Sequence, residues 1–168
     1  MDAKANETAN DSAGNATTSE RVSDRELMVT RSVNGPARLV FDAWTKPELM
    51  KQWWVPKSYG ISLLSCEMDV RTGGSYRFLF ANPAGGEPMA FFGRYLEVVP
   101  QARLVWTNEE SGPDGSVTTV TFEQRGAATL IVLRDLYPSK AALDEAIATG
   151  APGAFGEQFE QLDALLAA

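Results

Sequence analysis

The stretch FDAWTKPELMKQWWVPKSYG, residues 41–60, carries three of the four tryptophans of the chain and sets two of them side by side. Thr45 and Glu48 have the three-residue spacing of a capping box, which starts a helix. Pro56 ends that helix, because the residue before a proline avoids the helical conformation. Apolar side chains at helical spacing also precede Thr45. The stretch therefore predicts two short helices joined by a bend.

The adjacent indoles of Trp53 and Trp54 cannot both face one core, because neighbouring helical residues point about 100° apart. We expect Trp53 to pack inward with Leu49. Trp54 would then lie near the edge, beside Pro56 and Tyr59, at the entrance of a ligand chamber. Plain core packing is the alternative for either indole.

The composition is that of a soluble globular domain and excludes several classes of function. The chain has 168 residues, 44% of them hydrophobic, and a net charge of −7. It has no run of lysine or arginine, which argues against binding to nucleic acid or to an anionic membrane. It has no histidine, which removes the commonest general base and the usual zinc ligand sets. The single cysteine, Cys66, allows no internal disulfide and fits a reducing compartment.

The N-terminal segment 1–22 has no aromatic residue and is rich in small and polar side chains. Such a segment buries too little apolar surface to offset its ordering entropy, so it is predicted to be a disordered tail. It also lacks the apolar core of a secretory signal, and no stretch of the chain is long and apolar enough for a membrane helix. We therefore expect a cytoplasmic protein with one folded domain over residues 23–168.

The remainder of the chain predicts an α+β fold. One strand precedes the two short helices, and six hairpin-linked strands follow Gly60, which makes an antiparallel sheet of about seven strands. Strand twist accumulates, so the sheet should curve. Phe155, Phe159, Leu162 and Leu166 recur at steps of four, three and four, typical of an amphipathic helix. This long C-terminal helix should lie in the concave side of the sheet.

The order of elements and five motifs together resemble the START, or SRPBCC, helix-grip superfamily, which includes START lipid-transfer domains, birch-pollen-allergen-like proteins and polyketide cyclases. The most similar group is the bacterial branch related to activators of the heat-shock-protein-90 ATPase. The resemblance implies a helix-grip fold, and members of the superfamily bind varied hydrophobic small molecules, while a minority catalyse reactions on them. The chain departs from the family at Ala154-Phe155 and Phe159, where a Gly-Trp pair with following leucines is usual. The motifs are VFDAWTKPELMKQWW (40–54), CEMDVRTGGSYRF (66–78), GRYLEVVPQARLVWT (93–107), VTFE (120–123) and LRDLYPS (133–139).

Thirteen aromatic residues are candidates for the lining of a ligand cavity. Any one of them alone is better explained as part of the hydrophobic core. As a group they are numerous for one small domain, and they fall on the elements that should surround a concave sheet. They are Phe41, Trp44, Trp53, Trp54, Tyr76, Phe78, Phe80, Phe91, Tyr95, Trp106, Phe122, Phe155 and Phe159.

Charged residues that alternate along the strands indicate a solvated salt-bridge ladder on the outer face of the sheet, rather than a catalytic site. They are Glu67, Asp69, Arg71, Arg77 and Arg94. No catalytic residue, metal ligand or cofactor site is predicted, and Cys66 is interpreted as a small buried hydrophobe.

These observations favour a protein that binds a small hydrophobic molecule in a cavity between the curved sheet and the C-terminal helix, as a carrier, sensor or scavenger. The first alternative is an enzyme of the cyclase, dehydratase or hydrolase type, which would have to work without histidine. The second is a cofactor of a chaperone ATPase that acts by protein–protein contact. A homodimer is also compatible with the sequence.

Overall fold

The strands form one curved, open antiparallel sheet. The computed structural model describes residues 16–110 and 112–167. Within them the strands are β1 (Thr18–Arg21), β2 (Glu26–Asn34), β3 (Leu63–Met68), β4 (Ser75–Phe80), β5 (Met89–Val99), β6 (Arg103–Thr107), β7 (Val117–Arg125) and β8 (Ala128–Leu136). Their order in the sheet is β1-β2-β8-β7-β6-β5-β4-β3. The α-helices are α1 (Ala37–Thr45), α2 (Pro47–Trp53), α3 (Lys140–Ala148) and α4 (Ala151–Ala167), and a 3-10 turn spans Lys57–Tyr59.

The predicted α+β helix-grip fold is confirmed, with one strand more than expected. The prediction of a disordered segment 1–22 is wrong for Thr18–Arg21, which pairs with Leu27–Thr30 at the edge of the sheet. All four side chains of β1 are exposed, so apolar patterning could not show this strand. Backbone hydrogen bonds to β2 hold it instead. Residues 1–15 of the predicted tail lie outside the described residues.

The two short helices predicted from residues 41–60 are confirmed, but the capping box is wrong. Lys46 is the N-cap of α2 and offers no side-chain cap, while Pro47 takes the first helical position. The hydroxyl of Thr45 donates instead to the carbonyl oxygen of Phe41 at 2.8 Å, within α1. Threonine hydroxyls often bond back to the preceding turn in this way, so Thr45 completes α1 rather than starting α2.

Trp53 fixes α2 against α1. Its side chain is fully buried, as expected, and its indole N–H donates to the carbonyl oxygen of Ala43 at 2.9 Å. A buried indole N–H needs such a partner. The bond therefore sets the angle between the two helices, and with it the position of the residues that follow α2.

The C-terminal helices follow the sequence pattern closely. Ser139 caps α3, as its side-chain oxygen accepts a hydrogen bond from the backbone N–H of Ala142. Gly150 separates α3 from α4 with a φ of +85°, a conformation that favours glycine. Helix α4 packs against β2 and α2. Phe159 and Leu162 of α4 are fully buried there.

A largely buried ion pair ties α4 to β2. The Arg31 guanidinium donates to Asp163 Oδ2 at 2.9 Å, and Asp163 Oδ1 accepts the backbone N–H of Asn34 at 2.9 Å. Arg31 also donates to the hydroxyl of Thr17, just before β1. The pair thus holds β1, β2 and α4 together at one end of the sheet.

Among the helices of the described part of the chain, none has the length and apolar character that a membrane crossing requires.

Candidate functional site

A cavity of about 60 Å³ lies between the inner face of β4, β5 and β6 and the two short helices. We call it the aromatic cavity. Seven of its nine described lining residues are aromatic, and none is charged. The lining residues are Trp44, Met50, Trp54, Tyr76, Phe78, Phe91, Tyr95, Trp106 and Asn108.

Six of the rings stand side by side around the cavity and form what we call the aromatic arc. Neighbouring ring centroids in this series are 5.3–6.1 Å apart, the separation at which aromatic pairs attract one another. The arc therefore gives the cavity a continuous wall of aromatic side chains. In order, its members are Trp106, Trp44, Trp54, Phe78, Tyr76 and Tyr95.

The cavity reaches the surface beside Phe91. This ring lines the cavity, yet 40% of the residue is exposed. Phe91 lies opposite Phe78 in the β4–β5 register, and Phe80 packs edge-on against it at 5.1 Å. Trp54 also lines the cavity and is partly exposed. A ligand that enters between Phe91 and the α2 end would pass the Trp54 indole.

The volume decides what size of group can enter. A water molecule needs about 10–15 Å³ on this measure, and a dry cavity of about 150 Å³ holds benzene. A volume of about 60 Å³ lies between these values. The aromatic cavity therefore accepts one small group, and a larger ligand has to extend through the opening.

Two polar side chains, Tyr76 and Asn108, lie at one end of the cavity. The Tyr76 hydroxyl donates to the carbonyl oxygen of Thr107 at 2.7 Å and lies 3.3 Å from Asn108 Oδ1. The Asn108 amide donates to the hydroxyls of Ser116 and Thr118 at 3.1 and 2.9 Å. Both side chains are therefore held in place by protein partners.

Trp44, one of the lining residues, carries a buried donor. The residue is 1% exposed, and its Nε1 atom is buried without a hydrogen-bond partner among the described residues. A buried donor of this kind carries a desolvation cost that a hydrogen bond would offset.

A buried carboxyl group, Asp135, continues the polar network behind the cavity wall. The Thr118 hydroxyl that receives the Asn108 amide hydrogen bond donates in turn to Asp135 Oδ1. In the strand register Asp135 lies opposite Thr118, Thr118 opposite Trp106, and Trp106 opposite Tyr95. Burial raises the pKa of Asp135 to about 6, although the Thr118 hydrogen bond opposes the shift. Sequence reasoning missed this acid, although it alternates with Ile131 and Leu133 on the inner face.

Burial also raises the pKa values of two tyrosines and of the cysteine. Burial is the largest cause that raises the pKa values of Tyr76 and Tyr95, so both hydroxyls stay protonated. Burial also raises the pKa of Cys66 to about 11, which leaves an unreactive thiol. No three Cys, Asp or Glu side chains of the described residues lie close enough together to hold a metal ion.

The structure brings seven of the thirteen predicted lining residues into the cavity. It adds two that the prediction left out, Met50 and Asn108. The seven are Trp44, Trp54, Tyr76, Phe78, Phe91, Tyr95 and Trp106. The six that do not line it are Phe41, Trp53, Phe80, Phe122, Phe155 and Phe159.

Those six rings fill the interior or the rim instead of lining the cavity. Phe41 packs edge-on against Phe122 at 5.7 Å, beneath α1. Phe159 packs against both Trp44 and Trp53, and Phe155 stacks on Phe159 at 6.0 Å. These contacts are part of the hydrophobic core under α4.

The predicted position of the cavity is therefore wrong. We expected it between the sheet and the C-terminal helix, but no described residue of α4 lines it. Phe159 is fully buried, and its ring occupies the space beneath that helix. The open space lies further along the sheet, where the short helices α1 and α2 form the cover.

The predicted outer-face charges lie where the alternation put them. Glu67, Asp69, Arg71, Arg77 and Arg94 are all exposed. Glu67 and Arg77 are opposite each other in the β3–β4 register. Such exposed pairs contribute about 0–1 kcal/mol each and have no part in the cavity.

One protein family and several solved structures are similar to this chain. The sequence model of the family described as Activator of Hsp90 ATPase homolog 1-like protein matches residues 34–167. A crystal structure from Rhodobacter sphaeroides is 20% identical, covers 90% of this chain and 97% of its own, and superimposes with a TM-score of 0.82. One from Nitrosomonas europaea is 25% identical, with coverage of 88% and 97% and a TM-score of 0.76. The solution structure of an AHSA1-like protein from Aeromonas hydrophila is 18% identical, with coverage of 82% and 92% and a TM-score of 0.64. No curated protein matches the chain in sequence.

Proposed function

The chain belongs to the family of Activator of Hsp90 ATPase homolog 1-like proteins, and we propose that it binds a small hydrophobic molecule in the aromatic cavity. The observation that carries the proposal is the aromatic arc around a space that the core leaves unfilled. Ligand sites are concave and mainly apolar, with a few fixed polar groups. The aromatic cavity has this character, with Tyr76 and Asn108 as its fixed polar groups.

The binding energy would come from apolar burial against rigid walls. Each Å² of apolar surface removed from water contributes about 25 cal/mol. The wall side chains are already ordered by their contacts with one another, so a ligand pays little entropy to order them. The Trp44 N–H has no partner among the described residues, and a bond to it would favour a ligand that also carries one oxygen acceptor.

A titration of the full chain with toluene, followed by the indole N–H signals in NMR spectra, tests the proposal. Trp44, Trp54 and Trp106 line the cavity and Trp53 does not. We expect the first three signals to shift and saturate, while the Trp53 signal moves least. If no indole signal moves up to the solubility limit of toluene, the proposal is overturned.

Closing the opening should weaken this binding. Phe91→Trp places a larger ring at the mouth, and because Phe91 is 40% exposed, the change should leave the fold intact. We expect toluene affinity to fall by about ten-fold, or 1.4 kcal/mol. The matched control is Phe92→Trp, on the neighbouring residue of β5, whose ring lies under Arg77 and does not line the cavity. Equal weakening by both variants would contradict an opening beside Phe91.

Catalysis on the bound molecule is a second candidate, and one observation favours it: a carboxyl group, Asp135, faces inward. It does not line the cavity, however, and a proton would have to cross Thr118 and Asn108. The Asn108 amide does not give up a proton at neutral pH, which interrupts the path. We therefore place binding first. A chaperone ATPase partner, a homodimer and a cytoplasmic location stay predictions from the sequence.

A further inference from the structure

We infer that the aromatic cavity prefers a small organic cation, such as a methylated ammonium group, over a neutral group of the same shape. This inference rests on the proposed function, since it concerns the ligand of the same cavity. The predicted ligand carries its positive charge on a compact, largely apolar group. Three features of the site support it: the aromatic lining, the absence of any charge in the described lining, and the acidic groups behind it.

The first feature is the aromatic arc. The face of an aromatic ring attracts a cation within about 6 Å of its centroid, and the attraction is stronger away from water. All six rings of the arc line the cavity, so a small group in it lies beside several aromatic side chains at once. Two of them, Trp44 and Trp106, are at most 8% exposed. Tryptophan is also the residue that attracts cations best.

The second feature is the character of the lining. None of the nine described lining residues is charged, so no lysine or arginine there repels a cation. The nearest basic groups lie outside. Lys51 is exposed on α2, and Arg94 is exposed and paired with Glu109 at 2.8 Å.

The third feature is a buried carboxyl group behind the cavity wall, whose charge no basic side chain of the described residues balances. Asp135 is buried, its hydrogen-bond partner is the neutral Thr118, and no cation among the described residues lowers its pKa. In the strand register Asp135 lies two strands from Trp106, which corresponds to about 10 Å. After burial, the charge of Glu110 is the next cause that raises the pKa of Tyr76, another lining residue. Both acids make the cavity more favourable for a positive charge than for a negative one.

The size of the cavity sets how deeply such a ligand can enter. A volume of about 60 Å³ is smaller than the roughly 150 Å³ of a cavity that holds benzene, so a methylated ammonium group enters only in part. The remainder of the ligand lies at the opening beside Phe91. An ammonium group that carries methyl groups is weakly hydrated compared with a bare ammonium. It can therefore enter an apolar site and still use the ring faces.

Choline and 3,3-dimethylbutan-1-ol provide the test, because they have the same shape and the same hydroxyl group. They differ in a central atom that is a charged nitrogen in one and a neutral carbon in the other. Any hydrogen bond from Trp44 to the hydroxyl is therefore common to both. We expect the full chain, titrated at neutral pH and followed by its indole N–H signals, to bind choline about ten-fold more tightly.

The outcomes separate this inference from the proposed function. Equal or tighter binding of the neutral alcohol overturns the cation preference and leaves the hydrophobic cavity standing. Binding of toluene without binding of choline has the same meaning. If neither choline, nor the alcohol, nor toluene binds, both proposals fail.

A charge variant tests the role of the acid. Asp135→Asn should reduce the preference for choline over the alcohol by about three-fold. The control, Glu123→Gln, removes an exposed carboxylate beside Arg125 and should leave the preference unchanged. Should Asp135→Asn fail to fold, Trp54→Leu removes one ring face at a partly exposed position and should weaken choline more than the alcohol. A preference that survives removal of the ring face contradicts the inference.

Discussion

Replacement of Phe159 by alanine is expected to lower the free energy of unfolding by about 3–5 kcal/mol. The Phe159 side chain is fully buried and packs within 6.3 Å, between ring centroids, of both Trp44 and Trp53. Its removal leaves a cavity that the rigid indoles cannot collapse to fill. Urea unfolding followed by circular dichroism measures the loss directly.

Phe155→Ala is the matched control for this prediction. Phe155 lies one turn earlier on α4, stacks on Phe159 and is only partly buried. Its loss should cost less than about 2 kcal/mol, because part of the ring is already in water. Equal losses of unfolding free energy for the two variants would contradict a tightly packed core under α4. That region would then again be a candidate ligand site.

Stability should fall as the pH rises through the titration of Asp135. Burial raises the pKa of this carboxyl group to about 6, above the value of about 3.9 for an unfolded chain. The folded state therefore holds the proton more tightly than the unfolded state between these values. The stabilisation of the folded state by this tighter proton binding is fully present below about pH 4 and is lost as the pH rises through 6. Two pKa units correspond to about 3 kcal/mol.

Urea unfolding across this pH range, with Asp135→Asn as the comparison, measures the effect. The asparagine variant does not titrate, so its stability should lack the fall between about pH 4 and pH 7. Tyr76 and Tyr137 face the carboxyl group, but burial raises the pKa of both well above this range, and they stay neutral. The control is Asp144→Asn, because pairing with Arg21 and Lys140 lowers the pKa of that exposed carboxyl. Its titration lies below the range and should leave the profile unchanged. A profile that Asp135→Asn does not alter would contradict a buried carboxyl group with a raised pKa.

Much of the fold could be predicted, because the signals are local. Pro56 marks the end of the second short helix, Ser139 starts α3, and Gly150 separates α3 from α4. Alternation along the hairpins determined which face of each strand is buried. Strand β1 was not predicted because all of Thr18–Arg21 is exposed, so no apolar alternation marks a strand that is held by backbone pairing with β2.

The position of the cavity could not be predicted, because it depends on distances across the sheet. The steps from Phe155 to Phe159 show which face of α4 is apolar, but not which strands that face covers. Helix α4 lies against β2, where Phe159 fills the interior. Trp53 is held by its hydrogen bond to the carbonyl oxygen of Ala43 and does not line the cavity beneath α2.

The polar residues of the site were missed for a related reason. Asn108 follows β6 in a connection between strands, and its partners Ser116 and Thr118 lie across a hairpin. Met50 was missed because the methionines of the chain form no stripe at one period that would place them on a common surface. Asp135 alternates with the apolar residues of β8, a pattern that predicts a carboxyl group on the inner face of the sheet.

The most direct test of the aromatic cavity is a crystal structure determined under xenon pressure, because xenon enters apolar cavities without any need to know the ligand. We expect one xenon site enclosed by Trp44, Trp54 and Phe78, with none beneath α4. An interior without xenon there, with the rings of the arc collapsed onto one another, would contradict both the cavity and the function built upon it.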